Sequence, residues 1–344
     1  MSEKKWYELS GPEGDVAISS RVRLARNLKG YPFPGKMDGE QRRQVLNKAA
    51  SVMESAAGGG EFELFRLDSG VRTRALVERH LISPNMLESR GERGVVLSRD
   101  ESVSVMINEE DHLRIQTMAP GLCPWDCLKE AERVDRLIGG SLEYAFDNRL
   151  GYLTHCPTNL GTAMRVSVML HLPALTETGL IRGIIEQAGK LGMAVRGIYG
   201  EGSRAEGCIY QISNQITLGL TEAEICRQLE NTVNDVIAQE RSARERLHRE
   251  NPTYVEDRVY RAAALLSSAR RMTTDEAMTL ISDLRMGSAM GRVSGADMGD
   301  VNGLIPAIRP AAICDAGGEL LPDGERDVRR TEIIRSVITT DILK

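Results

Sequence analysis

Cys156 stands in the stretch 150–171, LGYLTHCPTNLGTAMRVSVMLH, where a thiol, a turn and an arginine-led strand follow one another directly. Pro157 interrupts any hydrogen-bonded ladder and biases Cys156 towards extended geometry, while Asn159 and Gly161 suit a tight turn with exposed backbone N–H groups. Beyond the turn, Arg165, Ser167, Met169 and His171 alternate with Val166, Val168, Leu170 and Leu172, which aims the first set at one face of a strand. A thiol and an arginine are therefore expected to open into one cleft. A lone cysteine is more often an inert buried thiol than a reactive one; here its neighbours favour chemistry.

Three other stretches carry groups that could act with it. Arg21, Arg23 and Arg26 cluster around Val22 and Leu24. In NEEDHLRIQTM, Glu110, His112, Arg114 and Gln116 alternate with Leu113, Ile115 and Thr117, which would set a carboxylate and a guanidinium side by side above a sheet. The loop YGEGSRAEG, 199–207, has three glycines and the acids Glu201 and Glu206, so its backbone can approach a ligand closely. Of the 44 basic residues only eight are lysine. Arginine's planar fork suits phosphate and carboxylate, but genomic base composition explains a general excess equally well, so only arginines inside these stretches are given roles.

The elements that must position these groups follow from periodicity and caps. Helices are expected over 38–57, 72–81, 125–138 and 175–191, strands over 62–67, 193–198 and 208–213, and a hairpin from 94–98 and 103–108 across the polar RDES. Thr221 and Glu224 form a capping box for a helix that runs to Asn251–Pro252. Helices over 255–269, 274–286 and 326–338 follow, and strand signals almost vanish after Ser213. This divides the chain into a lead-in, 1–17, a catalytic domain, 18–250, and a small all-α C-terminal domain, 251–344.

CPTNLGT (156–162), ISSRVRLARNLKGYPFP (18–34), NEEDHLRI (108–115) and VRGIYGEGSRAEGCIYQISN (195–214) together resemble the ATP:guanido phosphotransferases, the phosphagen kinase family, in the family's order over residues 15–245. The resemblance implies an α+β fold, a mostly antiparallel β-sheet flanked by helices, and transfer of the ATP γ-phosphoryl group to a guanidinium. It implies that Glu110 and Glu201 are the two substrate carboxylates and that Cys156 orients the guanidinium as a thiolate. Phosphates would be held by Arg21, Arg23, Arg114, Arg165 and Arg196. Further nucleotide contacts are implied at Ser20, Val22, His80, Ser167, Met169, Gly197 and Gly200, with Met169 in place of a histidine that meets the adenine in classical members. Mg²⁺ would bridge the nucleotide phosphates, with no metal ligand from the chain. A guanidinium is a poor nucleophile because its lone pair is delocalised; two carboxylates facing it both orient it and accept its proton.

Two departures bear on the substrate. Classical members carry a helical domain ahead of the SRVR block, which here begins almost at the N-terminus, so the guanidino site is expected to be open to an arginine within a polypeptide. RDVRRT, 326–331, is similar to the RDxxRA motif of the bacterial protein arginine kinases, where it forms an allosteric phosphoarginine pocket; that assigns Arg326, Asp327, Arg330 and Thr331 to such a pocket, threonine replacing the alanine. These features imply a kinase that marks protein arginines for Clp degradation and regulates a heat-shock repressor. The implied partners are an McsA-type activator, a CtsR-type repressor and ClpC, alongside self-association into a homo-oligomer. The alternatives are a phosphagen kinase acting on free arginine and an adaptor binding clients through its helical tail.

Composition narrows the class further. With 41% hydrophobic and 27% charged residues the chain reads as globular, and its net charge of −5 argues against general attraction to nucleic acid. No apolar run approaches the ~20 residues that span a bilayer, and MSEKKWYELSGPEGD lacks a signal core, so a cytoplasmic protein is expected. The six cysteines have no metal-ligand spacing and should be free thiols.

Overall fold

The computed structural model of the chain describes residues 4–56, 60–88, 91–197, 205–293 and 297–339. In chain order the first half contains β1 (Ala17–Arg26), α1 (Gly39–Ala56), β2 (Phe62–Arg66), α2 (Val71–Glu78), α3 (Asn85–Glu88), β3 (Gly94–Ser98), β4 (Val103–Ile107), β5 (Leu113–Pro120) and α4 (Pro124–Gly139). A short hairpin, β6 (Phe146–Asp147) and β7 (Gly151–Tyr152), leads to β8 (Met164–His171), α5 (Pro173–Glu177), α6 (Ile181–Lys190), β9 (Met193–Gly197) and β10 (Ile209–Asn214). Among the described residues six α-helices follow: α7 (Glu222–Glu250), α8 (Pro252–Ser268), α9 (Thr274–Ala289), α10 (Met298–Ala307), α11 (Pro310–Cys314) and α12 (Asp323–Val337).

Eight strands form one antiparallel sheet in the order β2-β3-β4-β5-β1-β8-β10-β9. Alternation gives this sheet two unlike faces. Val22, Leu24, Ile115, Val166, Val168 and Ile212 are fully buried on one, in a core shared with α1, α4 and α7. The other carries the polar residues, and the register aligns them: Arg23 lies across from Arg165 on β8 and from Gln116 on β5, Arg21 across from Ser167, and Gln211 across from Arg196.

Caps and prolines set the helix limits. Thr221 and Glu224 close a reciprocal capping box on α7, Thr273 accepts from Glu276 N on α9, and Asp297 accepts from Gly299 N and Asp300 N on α10. Pro252 stands at the start of α8, immediately after α7 ends. The helix expected over 175–191 is instead two, α5 and α6, because Gly179 takes a left-handed φ of 73° between them. Helices α10 and α11 were not expected from pattern: α10 (MGDVNGLIPA) holds glycine and proline and is buried nearly all round, so it shows no amphipathic stripe.

The C-terminal helices cover one end of the polar sheet face. Leu266, Ile281, Leu304 and Ile305 pack with Ile209 of β10, against Ile18 and Met169. Helix α11 sits on α2, where the Glu78 carboxylate accepts from Ala311 N (3.0 Å) and Ala312 N (2.7 Å). The lead-in lies beside α10: a Cβ added to Gly299 would stand 2.6 Å from the Glu8 carbonyl oxygen. No described helix is long and apolar enough to cross a membrane.

Candidate active site

The polar face carries two adjoining cavities of about 490 and 120 Å³, the smaller bordered by Val77 of α2. They share Arg23, Arg114, Arg165 and Arg196. The larger one extends to Glu110, Cys156, Thr158 and Asn159, the smaller to Arg21, His80, Gln116 and Gln211. Five arginines thus form a floor with an acidic, thiol-bearing end and a neutral polar end.

The floor is cationic: Arg114 is paired with Glu109 and Glu110, while Arg21 and Arg23 form no ion pair among the described residues. Arg21 donates to the Ser167 hydroxyl (3.4 Å) and the Gln211 carbonyl oxygen (3.1 Å), both neutral, and Arg23 Nε is buried with no hydrogen-bond partner. Burial, reinforced by Arg114 and Arg165, pushes the Arg21 guanidinium down to about 10 and Arg23 well below its ordinary value. His80 is pushed down to about 3, first by burial and then by Arg21 and Arg309, so it stays neutral. Like charges gathered in a partly desolvated trench favour an anion that takes their donors.

At the acidic end two consecutive glutamates do different things. Asn108 takes a left-handed φ of 63° and its N–H donates to the His112 carbonyl (2.9 Å), making NEEDH a turn. Glu109 is thereby buried against Arg114 (2.8 Å) and accepts from the Ser83 hydroxyl. Glu110 stays about a third exposed, 3.3 Å from Arg114 and 3.6 Å from His155 Nδ1. Buried Asp111 accepts from His155 N (2.7 Å) and Asn27 Nδ2 (2.6 Å), fixing the segment before Cys156. Cys156 Sγ lies 3.0 Å from Thr158 Oγ1 at the head of the turn Pro157–Asn159. Gly161 (φ 93°) closes that segment; a Cβ there would meet the Thr217 carbonyl oxygen at 2.5 Å.

The family described as "ATP:guanido phosphotransferase, C-terminal catalytic domain" matches residues 44–243. The chain belongs to the ATP:guanido phosphotransferase family. "Protein-arginine kinase McsB C-terminal domain" matches residues 252–342. The curated protein-arginine kinase of Desulforamulus reducens is 48% identical over 336 residues, 96% of this chain and 94% of that protein. The protein-arginine kinase of Bacillus subtilis (strain 168) is 43% identical over 334 residues, 96% and 92% of the two chains. Among solved structures, lombricine kinase superposes with a TM-score of 0.58 at 25% identity over 68% of each chain.

Within this phosphotransferase the trench brings together Arg21, Arg23, Arg114, Arg165, Arg196, His80, Glu110 and Cys156. Ser167 reaches it through Arg21, and Met169 lies one strand step further, packed towards the C-terminal helices. Strand alternation turns Val22 into the opposite core and Ser20 towards the Gly121 carbonyl, to which its hydroxyl donates (2.9 Å). Gly197 follows Arg196 on β9, and Gly200 and Glu201 lie outside the described residues. His112 also leaves the face expected for it: its ring accepts from Leu28 N (2.9 Å) and meets the Pro32 carbonyl (2.8 Å), because the turn at Asn108 ends the alternation before Leu113.

In the C-terminal helices, Arg330 is 2% exposed and donates to the Ile308 carbonyl (2.9 Å), the Met272 carbonyl (2.7 Å) and Asp327 (2.7 Å). Thr331 donates to the Arg270 carbonyl (3.0 Å), and Arg326 pairs with Asp323. Glu109, Gln116 and Gln211 were not singled out from sequence. Glu109 looks like Glu110 until the turn separates them, and the two glutamines carried only a strand position.

Proposed function

We propose that this chain is an ATP-dependent protein-arginine kinase, transferring the γ-phosphoryl group to the guanidinium of an arginine held in a polypeptide. The observation that carries the reading is the continuous trench: five arginines on its floor, among them Arg23 with a buried Nε that has no partner, and at one end a partly exposed carboxylate beside a thiol. Relatives alike over nearly the whole chain bear the name protein-arginine kinase, which supports the choice of substrate.

The incoming guanidinium would lie between Glu110 and Glu201, with Cys156 as a further orienting contact. A carboxylate takes its proton as a guanidinium nitrogen attacks the γ-phosphorus; the N–P bond forms, the bond to the β-phosphate oxygen breaks, and ADP departs. Arg21, Arg23, Arg114, Arg165 and Arg196 meet the charge that spreads over the phosphoryl oxygens. Glu109 gives Arg114 a permanent partner, which leaves Glu110 able to turn from Arg114 to the substrate.

Among the described residues no group of three or more His, Cys, Asp or Glu could hold a metal ion. The cationic floor fits Mg²⁺ carried on the nucleotide phosphates, where it would supply charge neutralisation. The reading takes 18–250 as the catalytic unit and 251–344 as a helical unit whose Arg326, Asp327, Arg330 and Thr331 form a phosphoarginine pocket. It extends to a cytoplasmic homo-oligomer working with an McsA-type activator, a CtsR-type repressor and ClpC.

The test is incubation with Mg-ATP and either free arginine or an unstructured arginine-containing protein, followed by mass spectrometry under conditions that preserve acid-labile phosphate. Label on protein arginine supports the reading; label on free arginine alone overturns the substrate assignment.

A further inference from the structure

We propose that the base of the nucleotide is read by Asn302 and Trp6, one from α10 and one from the lead-in, both outside the matched catalytic residues 44–243. The inference rests on the ATP-dependent reading above and assigns a specificity role to segments that reading leaves without one.

The trench has a direction. From Glu110 and Cys156 it passes Arg23 and Arg165, then Arg21, Gln211 and His80. One step further along the same face, Ser19 on β1 stands across from Met169 on β8. Two strand residues span about 7 Å, roughly the reach of a ribose beyond the phosphate-holding arginines. At that step lies a third cavity of about 40 Å³, which shares His80 with the 120 Å³ arm and is walled by Ile18, Met169, Ile209, Ile305 and Pro306. At that size it takes the edge of a flat ring, the rest of which would lie towards His80.

Three residues lining this slot carry a buried donor with nothing to accept from it: Arg79, whose Nε is open while its terminal nitrogens pair with Glu101 and Asp315, and Asn302 and Trp6, whose open donors are neutral. Asn302 is 3% exposed, and its Oδ1 accepts from Arg285 Nε at 3.1 Å. A guanidinium only donates, so the amide oxygen must face Arg285 and the NH₂ must face away. That Nδ2 has no hydrogen-bond partner. Trp6, 8% exposed, presents an indole Nε1 that likewise has none. Unsatisfied buried donors are costly and call for an explanation. A mainly apolar slot with two open neutral donors, placed one ribose beyond a phosphate floor, matches a purine edge, whose ring nitrogens accept while its faces are apolar. Arg285 also donates to the Gly14 (2.7 Å) and Asp15 (3.1 Å) carbonyls, so the lead-in, α9 and α10 are fixed around the slot together.

Isothermal titration of the full chain with ADP and, separately, with inorganic tripolyphosphate separates base from phosphate binding. For Asn302→Leu we expect the ADP dissociation constant to rise roughly tenfold while that of tripolyphosphate stays within about twofold. Trp6→Phe, which keeps the aromatic packing and removes only the N–H, should shift ADP in the same direction by roughly threefold or more, again sparing tripolyphosphate. In turnover both variants should raise KM for ATP and leave kcat. Equal weakening of both probes would mean that these residues only support the fold, and unchanged ADP binding in Trp6→Phe with intact Asn302→Leu affinity would equally overturn the proposal. Should Asn302→Leu fail to fold, Trp6→Phe decides alone. A wild-type chain that binds neither probe would overturn the ATP reading itself and the inference with it.

Discussion

Two sets of buried arginines lie on either side of the sheet's open end, and they differ in what their donors meet. In the C-terminal helices, Arg285 reaches two backbone carbonyls and Asn302, and Arg330 reaches two carbonyls and Asp327. In the trench, Arg21 meets only neutral Ser167 and Gln211, and Arg23 keeps an unpartnered Nε. Depressed ionisation does not tell the sets apart: burial pushes Arg285 down to about 9 and Arg21 to about 10. The donors do. A buried cation whose N–H groups are filled by the fold is a packing element, whereas neighbouring cations with open donors have a standing affinity for an anion.

The comparison is broken most directly by Arg23→Ala. Phosphoryl transfer should fall by about 10³-fold, with thermal stability unchanged or raised because a crowded like charge is gone. A lowered melting temperature with normal turnover would place Arg23 in the packing class. Arg330→Met should do the reverse, since it strands Asp327 and two carbonyls: a loss of about 3 kcal/mol in denaturant unfolding, with basal transfer per folded molecule retained and only the response to phosphoarginine at the proposed pocket lost. A smaller effect sharpens the contrast through pH. His80 titrates at about 3 in the fold and near 6.5 when unfolded, so below 6.5 the unfolded chain binds more protons. Stability should therefore fall as pH drops from about 6.5 towards 3. His80→Gln should flatten that slope, and tripolyphosphate should flatten it in the wild type by opposing Arg21. Unfolding curves with and without tripolyphosphate check both; an unaltered slope in His80→Gln would remove the histidine from the trench's electrostatics.

Much of this was legible in the chain. The alternations in ISSRVRLAR and MRVSVMLH turn Arg21, Arg23 and Arg165 to one face wherever those strands pair, and CPTNLGT specifies its turn through Pro157 and Gly161. Thr221 and Thr273 announce their helices. Other expectations failed where a backbone change interrupted the period. Asn108 turns His112 away and buries Glu109 while Glu110 stays accessible, and Gly179 divides one expected helix into two. Helices α10 and α11 lack a stripe because neighbours enclose them on several sides.

Sequence by itself determined the strand faces, the caps and the residue types of the trench, because alternation, capping and turn geometry are steric and hydrogen-bonding properties of a few adjacent residues. Only the tertiary structure decided which buried donors are filled. Arg285 finds its acceptors at Gly14 and Asp15, some 270 positions away, and Trp6 and Asn302 line one cavity across a similar separation. Whether a buried N–H has an acceptor depends on which distant segment arrives beside it, and no local period carries that information.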